Sequence, residues 1–201
     1  MQGAYKIGNA QSIGSYQVQS SYFATYCDDR CIAVLAEGAT DHINGRRCAI
    51  LAVEACMQKL QKIPRDVEFS VFAKSIVTKI LQDMREIIYL GKIPCLSLSF
   101  QYAIGGELNY YSVGSNQIFL YDGKDYQLLK ETCGKVNFGK GMTFGMITRG
   151  VSWALNEKEL ISYLEKKEHP YEKAQRMLMG VKEKNVKMAG NAAILLVEGC
   201  I

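Results

Sequence analysis

Residues 34–60 read VLAEGATDHINGRRCAILAVEACMQKL. An apolar run climbs to a single acid, Glu37, is followed at once by Gly38, crosses a short polar loop, and enters a helical pattern at Gly45. Ile50, Val53, Met57 and Leu60 recur at spacings of three and four, which predicts an amphipathic helix. The apolar run before it predicts a buried strand ending on a carboxylate. An acid at the mouth of such a strand is placed to hold a metal, a phosphate or a partner charge, unless it simply opens a solvated loop.

Working outward, the first forty residues predict strands at Tyr22–Tyr26 and Ile32–Glu37, separated by the turn-like CDDRC. A second helix follows, with Phe69, Phe72, Ile76, Ile80, Met84 and Ile87 on one face and Gly91 as its stop. The period then changes to two. Leu96, Leu98, Phe100, Tyr102 and Ile104 alternate with Cys95, Ser97, Ser99, Gln101 and Ala103, which predicts a half-buried strand. Gly105-Gly106 signals a hairpin, ELNYYSVG its partner, and NQIFLY and YQLLK extend the meander around the Asp122-Gly123 turn.

A glycine-rich connection (Gly134, Gly139, Gly141) leads to the strand MTFGMIT. Asn156 with Glu159 makes a capping-box start, Pro170 suits the first turn of another helix, and NAAILLVEGC closes the chain as a strand. Strands, two helices, a meander, two helices and a strand predict an α+β architecture.

The chain has 201 residues, 48% hydrophobic and 22% charged, which suits one domain over 1–201 with a real core. No apolar run reaches the roughly 20 residues needed to span a membrane. The opening MQGAYKIGNA lacks a charged segment followed by an apolar one, so a cytoplasmic protein is expected. Seven cysteines, an odd number set mostly in apolar runs, are expected to be free thiols. With two histidines and no C-x-x-C, an ordinary zinc site is not expected. A net charge of +4 and interleaved signs, as in NEKELISYLEKKEHPYEK, exclude a nucleic-acid stripe. Tyr110, Tyr111, Tyr121 and Tyr126 along the meander either line a partner surface or pack across strands.

The order of elements and five short motifs resemble the PPM-type (type 2C) metal-dependent protein serine/threonine phosphatases, over roughly residues 5–198. The resemblance implies a four-layer β-sandwich flanked by helix pairs, here compact, with a short or missing flap between 122 and 142. It also implies two divalent metals at the sandwich edge, held by aspartates at strand ends.

Each motif departs from the family pattern. IGSYQVQSSYF (13–23) resembles the opening segment, with Tyr16 at the phosphate-gripping arginine and Ser21 at a metal-binding aspartate. In VLAEGATDHINGRRCA, Glu37 stands at the metal-bridging aspartate, while Gly38, His42 and Gly45 match. YYSVGSNQIFLY resembles the Val-Gly-Asp-Ser-Arg turn, with Ser115, Asn116 and Gln117 in its last three places. In FGMITRGV, Arg149 replaces a ligand aspartate; in AGNAAILLVE, Gly190 does so and Asn191 is retained.

Two-metal hydrolysis needs two dications about 3.5–4 Å apart, and hard cations need several anionic oxygens. Glu37 is the only acid left among the implied ligand positions, so no catalytic residue, no metal and no cofactor is expected. The resemblance therefore implies a degenerate member, a pseudophosphatase that binds a protein partner such as a kinase or phosphoprotein, without nucleic acid or membrane. The alternative is an active manganese- or magnesium-dependent phosphatase whose metal site recruits Asp28, Asp29 or Asp41. Arg149 is expected to fill the metal space and pair with Glu37.

Overall fold

The computed structural model describes residues 3–14, 17–38, 43–64, 67–85, 96–184 and 190–200. The elements run β1 (Tyr5–Ser12), β2 (Ser21–Cys27), β3 (Arg30–Gly38), α1 (Ile43–Leu60), α2 (Phe69–Asp83), β4 (Leu96–Ile104) and β5 (Glu107–Val113). There follow β6 (Gln117–Tyr121), β7 (Tyr126–Leu129), β8 (Cys133–Asn137), β9 (Thr143–Ile147), α3 (Arg149–Ala154), α4 (Glu157–Leu164), α5 (Pro170–Glu183) and β10 (Ala192–Gly199).

Two five-stranded sheets, ordered β1-β10-β9-β6-β7 and β2-β3-β4-β5-β8, lie face to face with every pairing antiparallel. Three apolar clusters follow from this layering. Ile32, Val34, Leu98 and Phe100 pack under α1 and α2. Cys31, Ala33, Leu35, Phe144 and Leu195 fill the space between the sheets. Ile147, Ile194 and Leu196 meet α3, α4 and α5. A strand covered on both faces has no solvent side, which is why β3 and β10 read as continuous apolar runs.

The same layering corrects the reading of β4. Its serine face is not solvent-exposed: Ser99 and Gln101 are fully buried between the sheets. Ser99 and Ser112 satisfy each other there, hydroxyl to hydroxyl at 2.7 Å across β4 and β5. Tyr110, Tyr111 and Tyr121 are also buried, with Tyr111 stacked 5.2 Å from Phe100, so these rings serve packing rather than a partner surface.

Three elements were not read from sequence, the first being β1. The glycine-rich connection contains β8, an edge strand on β5, and α3 is a six-residue helix with no capping side-chain bond. Asn156 and Glu159 do form the reciprocal cap of α4, and Pro170 opens α5. The cysteine expectation fails at one pair. Cys27 and Cys31 face each other across the β2–β3 turn and are joined, with Cα atoms 4.3 Å apart, while Cys48, Cys56, Cys133 and Cys200 are free. Ile87, Gly91 and Cys95 lie outside the described residues. Among the described residues no helix is long and apolar enough to cross a membrane.

Two helices are seated by glycine. A Cβ at Gly38 would overlap the Gly45 backbone, so α1 starts directly against the end of β3. A Cβ at Gly8 would overlap Pro170, which presses the first turn of α5 onto β1.

Candidate functional site

Six segments end at one edge of the sandwich: β3 at Glu37, β2 at Ser21, β4 at Ser97, the β5–β6 turn, the start of α3, and the approach to β10. Register alone sets the first three in a row, with Ser21 and Ser97 the cross-strand partners of Glu37 on either side. All three are buried, Glu37 at 6% exposure. Burial pushes the Glu37 carboxyl up to about 7, against the smaller opposing pull of the nearby Arg149 main-chain N–H and of the Arg149 charge. Glu37 therefore titrates near neutrality.

Hydroxyls and amides surround this acid. The Ser97 Oγ lies 2.9 Å from the Ser115 Oγ and accepts from the Ser115 N–H, also at 2.9 Å. The turn is drawn this close because Gly114 takes φ 95°, and a Cβ there would fall 2.6 Å from the Ser97 Oγ. Ser21 accepts from the Gln19 side chain at 2.7 Å. Asn116 donates to the Leu35 carbonyl at 3.4 Å.

Asn191 ties the edge together. Its Oδ1 accepts from the Ser20 N–H and hydroxyl, each at 2.5 Å, and its Nδ2 donates to the carbonyls of Ile13 at 2.5 Å and Val18 at 3.3 Å. Thr148, the N-cap residue of α3, donates to the Asn191 carbonyl and accepts from the Ala193 N–H, each at 2.9 Å. Gly190 takes φ 75°, and its carbonyl lies where a Cβ on Gly14 would sit.

Arg149 does not behave as expected. Its guanidinium sits 4.0 Å over the Trp153 ring, one turn along α3, and makes no ion pair with Glu37. The reason is local: Arg149 is the first residue of α3, and its exposed side chain finds the aromatic face one turn on.

Asp28 is not available to the edge. It belongs to the β2–β3 turn, bonded to Tyr26 and Arg30, and Asp29 is beside it. That turn is six residues along β2 from Ser21, about 20 Å at roughly 3.3 Å per residue. Tyr16, Asp41 and His42 lie outside the described residues. Among the described residues no three His, Cys, Asp or Glu side chains cluster as a metal set would. Ser20, Ser97, Thr148 and Trp153 were missed by sequence reading; the only available signal was the run of alternating serines in β4.

By sequence, the chain matches no protein-family model and no curated protein. By structure it is similar to the Mycobacterium tuberculosis serine/threonine phosphatase PstP/Ppp, with TM-score 0.85 and 11% identity over 98% of this chain and 99% of that one. PppA, a regulatory component of the Pseudomonas aeruginosa T6SS, superimposes at TM-score 0.82 and 14% identity, over 97% of each chain. RsbX in complex with magnesium does so at 0.72 and 14% identity, over 97% of this chain and 95% of that one. The chain therefore has the fold of the PPM-type serine/threonine phosphatases: two antiparallel five-stranded sheets between helical layers.

Proposed function

We propose that this chain is a pseudophosphatase, a PPM-type fold without the family's metal chemistry, acting as a protein-binding or regulatory module in phospho-signalling. One observation carries the reading: among the described residues the edge holds a single carboxylate, Glu37, in a row with Ser21 and Ser97. Hard dications require several anionic oxygens to offset their dehydration and mutual repulsion. Serine hydroxyls at Ser21 and Ser115, a glycine at 190 and a cation at Arg149 do not fit that demand. No step through a metal follows from these donors.

The same edge supports a protein partner. Ile13, Val113 and Trp153 are 43%, 40% and 56% exposed at this end, and Trp153 carries the Arg149 guanidinium on its face. Exposed tryptophan and arginine are the residue types that dominate interface energetics. A kinase or phosphoprotein is the kind of partner this reading implies.

The test is turnover of an aryl phosphate or phosphopeptide in millimolar manganese, together with calorimetric titration of manganese. The expected result is no turnover above buffer and no stoichiometric binding. Manganese-dependent turnover that disappears in Glu37→Ala would overturn the reading.

A further inference from the structure

At the opposite end of the β1–β10–β9 sheet, on the order of 20 Å from Arg149 by strand length, a cavity of about 560 Å³ opens between the sheet, the end of α4 and the start of α5. Its chemistry differs from that of the Glu37 edge. Four lysines line it, Lys6, Lys166, Lys167 and Lys173. Lys173 is 6% exposed, an unusual place for an ammonium, since lysine is almost never fully buried without a partner.

The protein supplies little to hold that charge. Among the described residues Lys173 Nζ has one acceptor, the Glu198 Oε2, at 3.3 Å. Glu198 is itself shared, since Lys6 approaches its other oxygen at 3.9 Å. Two ammonium groups on one carboxylate leave a local excess of one positive charge. Glu168 lies 2.9 Å from the Arg176 guanidinium, and with Glu165 the lining sets four lysines against three carboxylates.

We propose that this cavity is a binding site for a small phosphate-bearing anion, held by Lys173 and Lys6. A lysine ammonium binds phosphate as a point charge with three donors, and a second oxyanion beside Glu198 would complete the coordination of both lysines. The volume admits a molecule larger than inorganic phosphate, so phosphate is the recognised group and not the whole ligand. A structural ion pair tethering α5 to β10 explains the Lys173–Glu198 contact, but not a second lysine and a cavity at the same carboxylate.

The test is titration of the protein with inorganic phosphate, followed by NMR of the lysine side chains, with acetate in a parallel arm. Phosphate is expected to shift Lys173 and Lys6 saturably, and more strongly than acetate. Lys173→Met should weaken binding at least tenfold, and Glu198→Gln should tighten it by removing the competing carboxylate. The Glu198 variant separates binding from folding, because a purely structural pair would lose stability there without gaining affinity. Glu37→Gln should leave the titration unchanged, which keeps this site independent of the reading of the other edge. No saturable shift, equal responses from all surface lysines, or binding that survives Lys173→Met would overturn the proposal.

Discussion

At the scale of single residues, Glu37 makes the folded state depend on pH. Its carboxyl sits at about 7 in the fold against an ordinary 4.5, so between those values the folded chain keeps a proton that the unfolded chain has released. The native state binds more protons there, and stability falls as pH rises from the lower value to the higher, by up to about 3 kcal/mol. Above that window the loss is complete and the curve is flat. Glu37→Gln should match the parent protein near pH 4 and exceed it near pH 8, as read from urea midpoints at both. An equal pH slope in the two proteins would refute the assignment. Arg149 leads to a second expectation. Because the Arg149 guanidinium lies over Trp153 and makes no ion pair with Glu37, truncating the side chain removes no contact of the acid. A double-mutant cycle on Glu37→Gln and Arg149→Ala should give a coupling below about 0.5 kcal/mol. Arg149→Ala should still change the emission of Trp153, the only tryptophan in the chain.

At the scale of elements, the edge is fastened by Asn191 and the helices by glycine contacts. Asn191→Ala would strand the Ser20 N–H and the Ile13 carbonyl, and should cost about 2–4 kcal/mol in denaturant unfolding, as the loss of one buried and one part-buried hydrogen bond. Asn156→Ala removes only a surface cap and should cost about 1 kcal/mol. These two asparagines also show what could be read from sequence. Asn156 announced itself through Glu159 three residues on, because a cap is local and its signal is local. Asn191 binds partners more than 170 residues away, and no spacing encodes that. The helices and the β4–β5 hairpin were legible for the same local reason. Strand β8 was not, being an edge strand of alternating exposure with a glycine inside it, and α3 is too short to show a period. The serines of β4 misled because alternation distinguishes two faces without saying what covers each.

At the scale of the whole molecule, the fold was recognisable through resemblance, yet the geometry of the Glu37 edge was not. Sequence reading paired opposite charges, Glu37 with Arg149, while the fold sets the acid between Ser21 and Ser97 and gives the guanidinium an indole. The joined pair Cys27–Cys31 had the same cause: strand register, not spacing along CDDRC, sets the two residues opposite one another. Alkylation without reductant, followed by mass spectrometry, should label Cys133 and Cys200 while leaving Cys27 and Cys31 unlabelled.

The pairing of β1 with β10 bears on how the chain could be rearranged. Tyr5 lies opposite Gly199, and the Cys200 N–H reaches the Ala4 carbonyl at 2.9 Å. Two neighbouring antiparallel strands can be joined by a two-residue turn. Splicing residue 200 to residue 4 through such a turn would convert β10 and β1 into an ordinary hairpin. New ends could then be cut between Gly105 and Gly106, where added side chains would meet nothing within 4 Å. A circular permutant of that design should keep every strand pairing and unfold in one transition, making this sandwich an interruptible loop rather than a line with a privileged start.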